Sequence, residues 1–316
     1  MSIVNKISLI GQPHSLLDMQ QPDIKKPKPA MPLRKQKIHG APWLVLNDEV
    51  ALAFFKRFDI SIECHRDILL DRITSAFANV PYENLTKILK KDSVISSSSA
   101  MRYPDEVLSD FLKYGSGGTC FSLTAALVAL LDSAGIDAYP VLADRHYGVD
   151  THCGVTITKT GNDMLLLDPG YLLFAPVAAP AVAPVFFDTC FNRIELRPID
   201  GGSKIELYTI VKGNRKLRLT FRMKPADDAA FGAAWERSFA FEMMTYPVLT
   251  RTANGCHQYL QGNVLAIRNA VRTERMVLSQ EKQIEFIESL AGINREIAVK
   301  ALEIVNYGLN SSAARR

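Results

Sequence analysis

The sequence predicts an α+β fold, and three observations carry that prediction. Helical periodicity starts near residue 47, short strand-like segments begin near 138, and an amphipathic helix lies near the end of the chain. Runs of helix followed by runs of antiparallel strand are the pattern of an α+β protein. At 316 residues the chain exceeds what one core usually fills, so two or three subdomains sharing an interior are expected. Apolar residues make up 47% and charged residues 22% of it, a composition that excludes disordered and fibrous classes.

The first 45 residues read as a basic, Pro-rich extension, because Pro22, Pro27, Pro29, Pro32 and Pro42 favour extended or irregular backbone. A helical subdomain is expected over 46–112. Val50, Phe54 and Phe58 recur on one face behind an Asn47 cap, and Ile68, Leu69, Ile73 and Phe77 repeat the pattern. Next, Gly115-Ser116-Gly117-Gly118-Thr119-Cys120 leads into a buried helix marked by Leu123, Leu127, Leu130 and Leu131 and ended by Gly135. Segments 138–143, 153–158 and 164–168 read as antiparallel strands, the last two joined by a turn over 159–162. The prolines between 171 and 185 argue for a long connection rather than a strand. Strands resume at 193–198, 205–211 and 216–222, completing a subdomain over 113–225. The remainder, 226–316, is mixed and ends in one amphipathic helix over 280–306.

Net charge is +4, but Lys25, Lys26, Lys28, Arg34, Lys35 and Lys37 concentrate the excess in the extension. No basic face interleaved with aromatics is visible, so nucleic acid is not an expected partner. Five widely spaced cysteines without a C-x-x-C pair suggest neither zinc nor a redox dithiol, and fit a reducing, cytoplasmic compartment. No metal is expected. No run reaches the roughly 18 apolar residues of a membrane span.

Cys120 is placed at a helix start, where the helix dipole and a nearby imidazolium would lower a thiol's pKa. Gly117 and Gly118 would let the backbone approach a substrate and leave N–H groups for an oxyanion. Taken alone, Cys120 reads first as a buried core cysteine. His152 at the start of one strand and Asp168 at the end of the facing one would meet at one edge of a hairpin, a base beside its orienter. His146 is the competing base; Cys153 alternates to the other face and reads as core. His14, His39, His65 and His257 have no neighbourhood that suggests catalysis.

Pro81-Tyr82-Glu83-Asn84-Leu85, Gly117-Gly118-Thr119-Cys120-Phe121, the His152 strand and the run Leu165 to Tyr171 resemble, in order, the signature segments of the arylamine N-acetyltransferases. The resemblance runs from about 47 to the end. It implies a helical bundle, a small antiparallel β-barrel and an α/β lid around a papain/transglutaminase-like Cys-His-Asp core. It also implies that Cys120, His152 and Asp168 form a catalytic triad. Acetyl-CoA or another acyl-CoA would acylate Cys120, and an arylamine, hydrazine or other small amine would take the acyl group. Phe121, Gly118, Thr119, Tyr82, Gly154 and Tyr171 would then line the pocket, with Glu83 in support.

Two departures stand out. Ser116 and Ser122 occupy positions where the family usually carries Arg and Glu, so a supporting charged network is absent or rebuilt. Asp168-Pro169 is reminiscent of transglutaminase-like enzymes, which leaves transamidation or hydrolysis of peptide amides as an alternative. A macrolactam-forming amide synthase fed by an acyl carrier protein is a third reading, and a non-catalytic interaction protein a fourth.

Overall fold

A computed structural model describes residues 41–159 and 163–313. The extension up to residue 40, with His14 and His39, and the turn residues 160–162 lie outside the described residues.

The packed structure begins earlier than the helical pattern suggests. Trp43, in a short helical turn over Pro42–Leu44, is buried and stacks on Phe231 with ring centroids 4.4 Å apart. Ala41, Trp43 and Leu46 are buried in the core, although the first two fall within the predicted extension. Helix α1 (Asp48–Arg57) is capped as expected, the Asn47 side chain accepting from Glu49 N. On α2 (Arg66–Phe77) Leu69, Ile73 and Phe77 are buried, whereas Ile68 is half exposed and Leu70 takes its place. Then come the two-residue strand β1 (Tyr82–Glu83), α3 (Leu85–Ser93) and α4 (Pro104–Tyr114).

Helix α5 (Cys120–Ser133) begins at the predicted nucleophile, and all of its residues are buried. It lies against β2 (Ala138–Arg145) and β3 (Gly148–Thr158). These two strands open a sheet completed by β4 (Met164–Asp168), β5 (Leu173–Ala178), β6 (Val185–Asp188), β7 (Arg193–Ile199), β8 (Lys204–Val211) and β9 (Asn214–Arg222). The order is β5-β4-β3-β2-β9-β8-β7-β6, every pairing antiparallel, and the sheet curls into half a barrel.

The predicted connection over 171–185 thus contains a strand. Pro176 is tolerated in β5 because this strand is a sheet edge, where a missing N–H breaks no ladder.

After α6 (Asp228–Arg237) come β10 (Val248–Ala253), β11 (Cys256–Gln261), β12 (Val264–Arg268) and β13 (Thr273–Val277). They form a second antiparallel sheet whose first strand is β1, in the order β1-β10-β11-β12-β13. The single terminal helix expected over 280–306 is instead two. Helix α7 (Gln280–Glu285) runs into a wide turn over Phe286–Leu290, and α8 (Arg295–Ala313) follows. Gly292, at φ +75°, lies in the break, and its carbonyl oxygen packs where a Cβ on Gly115 would sit. Among the described residues no helix is long and apolar enough to cross a membrane, and no cluster of His, Cys, Asp and Glu is arranged to hold a metal.

Candidate active site

Three elements converge on the Cys120 sulfur. The first is the N-terminus of α5, where Thr119 leaves the helix without a side-chain cap. The second is β3, which starts at Gly148, four residues before the predicted start, so that His152 is an inner residue paired with Ala143 of β2. The third is the end of β4, where Asp168 caps a short turn over Pro169–Tyr171.

His152 Nε2 and Asp168 Oδ2 are 2.7 Å apart, both side chains fully buried. The second carboxylate oxygen of Asp168 accepts from Tyr171 N at 2.9 Å. Asp168 is therefore pinned at both oxygens, which fixes the imidazole with Nδ1 turned away from it. Against the effect of burial, Asp168 raises the pKa of His152 above its ordinary value. Gly170 lies over the pair: a Cβ there would come within 2.8 Å of both Cys120 Cβ and His152 Cε1. Only glycine lets this turn close against the nucleophile.

The Cys120 thiol is held well below the usual thiol range. A hydrogen bond from Cys153 contributes most, burial opposes it, and the charge and hydrogen bond of His152 and the charge of Arg145 assist. Cys153 is core, as its strand position suggests, with its sulfur 3.4 Å from Thr124 Oγ1. Burial and its thiolate neighbour push Cys153 itself up, so it acts as donor.

Arg145 is a member of this cluster that the sequence reading missed. Its Nη2 lies 2.8 Å from His152 Nδ1, which can accept from it only while the imidazole is neutral. It reaches the site because pairing of β2 with β3 is irregular between Ala143 and Arg145, with Asp150 at φ +57°. Such irregularities re-aim a side chain, and no residue pattern announces them. The rival base, His146, sits exposed with Tyr147 in the two-residue loop joining β2 to β3.

The two glycines before Thr119 serve packing. Gly117 N donates to Glu83 Oε1 and Gly118 N to Pro81 O, so neither N–H is available for an oxyanion. A Cβ on Gly117 would fall 1.8 Å from Pro81 O, and one on Gly118 2.3 Å from Ser122 Oγ. The N–H groups that a helix leaves without intrahelical partners lie instead at the start of α5.

A narrow cleft opens beside the sulfur, lined by Tyr82, Thr119, Cys120, Lys87, Arg145, Tyr147, Thr151, Ser238, Phe241 and Met243. Of the six pocket residues suggested by resemblance, Tyr82 and Thr119 are there. Phe121 points into the core, edge-on to Phe231 at 5.4 Å and stacked on Trp235. Gly154 makes room for Phe221, the ring that packs edge-on to His152. Gly118 is backbone support, and Tyr171 contributes its N–H to Asp168.

The charged network missing at Ser116 and Ser122 is rebuilt from other residues. Ser122 Oγ turns back to Thr119 O at 3.1 Å, and the buried Ser116 Oγ has no partner among the described residues. Glu83, fully buried, accepts from Thr86 N, Thr86 Oγ1 and Gly117 N. Arg102, 3% exposed, stands 3.9 Å from Glu83, donates to Thr86 Oγ1 at 2.6 Å and to Gly117 O, and pairs with Asp110 and Glu106. A guanidinium and a carboxylate thus brace the loop before Cys120, supplied by residues from outside the loop itself.

No protein-family model matches the sequence, and no curated protein does. Solved structures do. The arylamine N-acetyltransferase from Mycobacterium abscessus superposes with a TM-score of 0.67 at 18% identity, covering 83% of this chain and 95% of that one. The Mycobacterium marinum arylamine N-acetyltransferase in complex with CoA gives 0.66 at 16%, covering 81% and 99%. The NAT3 arylamine N-acetyltransferase from Bacillus cereus, described as having a unique Cys-His-Glu catalytic triad, gives 0.61 at 18%, covering 78% and 99%. A helical bundle, a curled antiparallel sheet and a second, lid-like sheet are the architecture expected from the sequence, and this chain has the fold of the arylamine N-acetyltransferases.

Proposed function

We propose that the chain is an acyltransferase that carries its acyl group on Cys120 and passes it from acyl-CoA, acetyl-CoA in the first instance, to an arylamine, hydrazine or other small amine. The observation that carries this reading is the buried 2.7 Å contact of His152 with Asp168 beside a thiol whose pKa is lowered. A Cys–His–carboxylate set of this kind is an activated nucleophile with its base and orienter.

The Cys120 thiolate attacks the thioester carbonyl, forming a C–S bond and pushing charge onto the carbonyl oxygen at the start of α5. Collapse breaks the bond to the CoA sulfur, which leaves with the proton held on His152 Nδ1. The amine then attacks the Cys120 thioester, His152 takes its proton, and the amide departs as the Cys120 thiolate returns. Arg145 assists by its positive charge, which favours the thiolate. Its Nη2 lies 2.8 Å from the same Nδ1, so it must stand off that nitrogen whenever Nδ1 carries the proton. Cytoplasmic residence and an amine as acceptor belong to the same reading.

Intact-protein mass spectrometry after mixing with acetyl-CoA alone tests it. The expected result is one acetyl adduct on the wild type and none on Cys120→Ala, discharged by adding an arylamine or hydrazine. Absence of the adduct while Cys120 still reacts with iodoacetamide sinks the acyl-CoA reading.

A further inference from the structure

A carboxylate that does not itself line the cleft ties together two segments that do. Asp150 lies in the irregular pairing of β2 with β3, at φ +57°, a left-handed conformation that Asp and Asn tolerate better than most side chains. Three contacts hold it there. Its N–H donates to Asp144 Oδ1 at 3.0 Å, its Oδ1 pairs with Arg222 of β9, and its Oδ2 stands 3.6 Å from Nη2 of Arg237 in α6. Arg222 also donates to Asp144 Oδ1 at 2.7 Å, so residues 144 and 150, on either side of the irregular pairing, share one guanidinium. Arg237 directly precedes Ser238. The link therefore runs from the hairpin that brings Arg145, Tyr147 and Thr151 to the cleft to the segment that brings Ser238 and Phe241.

Arg145 sits inside this irregular pairing. Its N–H donates to Thr151 Oγ1 at 3.2 Å, and its guanidinium lies between the Tyr147 hydroxyl and His152. The titratable and charged groups that face the Cys120 thiol are Cys153 and His152 of β3, Arg145 of β2, Tyr82 of β1 and Lys87 of α3, with Asp168 of β4 behind His152. We propose that Asp150 is a positioning residue: by gripping Arg222 and Arg237 it fixes the β2–β3 irregularity so that Arg145 points at the Cys120–His152 pair, and it thereby sets how readily the nucleophile forms. The inference rests on the acyl-transfer reading for what that nucleophile attacks.

Asp150→Asn keeps a side chain suited to the left-handed backbone and removes both ion pairs. The test follows alkylation of Cys120 by iodoacetamide against pH, resolved site by site by mass spectrometry. Loss of aim withdraws the Arg145 charge, which favours the thiolate, so the acidic limb of the profile moves to higher pH. On that limb the rate should fall about 3- to 10-fold, a move of roughly 0.5 to 1 pH unit, where a whole charge at close range is worth roughly 1 to 3. The direction separates this role from a direct one, since loss of a carboxylate acting on the thiol itself would move the limb to lower pH. Arg145→Gln should reproduce the shift, and the double variant should add nothing to it. Arg237 is exposed, so Arg237→Gln serves should Asp150→Asn fail to fold; it should give a smaller shift in the same sense, which Arg237→Lys reverses. An unmoved acidic limb, a shift to lower pH, or shifts that add in the double variant overturns the positioning role. Failure of acetyl-CoA to load wild-type Cys120 is a separate result: it overturns the acyl-transfer reading, while a limb that moves as stated still places Asp150 behind Arg145.

Discussion

At the scale of single residues, the state of Cys120 is set by groups from three elements, and pH separates their effects. Its pKa is lowered and that of His152 raised. The lowered thiol value extends the thiolate toward lower pH, and the raised histidine value extends the imidazolium toward higher pH. Alkylation of Cys120 by iodoacetamide should therefore stay fast well below the ordinary thiol pKa of about 8.5, and mass spectrometry across the acidic to neutral range follows it site by site. Asp168→Asn removes the group that raises His152 and presents an amide donor to Nε2, which favours the wrong tautomer. Turnover should fall by about 10⁴, the scale of that change in Ser-His-Asp sites, with the far-UV circular dichroism unchanged. An Asp168→Asn protein that turns over normally would remove Asp168 from the mechanism.

At the scale of elements, the loop before Cys120 shows what a sequence can and cannot tell. Helix α5, the β3–β4 pairing and the trio Cys120, His152 and Asp168 were legible because each rests on a local signal: an apolar run after glycines, alternation, a strand end. Lys87, Arg102 and Arg145 were not, since what makes each of them matter is contact between segments distant in the chain. The glycines were misassigned to substrate for the same reason: only the fold shows Pro81 O lying where a Gly117 side chain would go. The substitution of Ser116 and Ser122 for the family's charged pair marked the loop as unusual, and Arg102 with Glu83 supplies the answer. Removing one member of a buried pair leaves the other uncompensated. Arg102→Ala should cost about 3–5 kcal/mol by urea unfolding, the range for breaking such pairs. A loss under 1 kcal/mol, the range of exposed pairs, would mean that Glu83 is satisfied by Thr86 and Gly117 alone.

Across the whole molecule, the segment Tyr82 to Leu85 ties together parts that the chain presents separately. Its strand β1 begins the second sheet by pairing with β10, and the same residues grip the nucleophile loop, Glu83 N donating to Gly118 O. A division into a helical part ending at 112 and a lid beginning at 226 therefore misses this shared strand. Asn84 completes the link. Fully buried, it donates through Nδ2 to Met243 O and Tyr246 O and accepts from Val248 N through Oδ1 at 2.7 Å. Those three partners fix residues 243–248, a stretch that brings Met243 to the cleft and leads into β10. Asn84→Ala leaves two carbonyls and one N–H without their partner, at about 1–3 kcal/mol for each group that stays buried. Local opening relieves that cost by letting water reach them. Hydrogen exchange over 241–250 should therefore accelerate far more than exchange in α5, and KM for the amine should rise while Cys120 keeps its fast alkylation. Uniform acceleration across both regions would instead show that Asn84 supports global stability and does not separately hold this wall of the cleft.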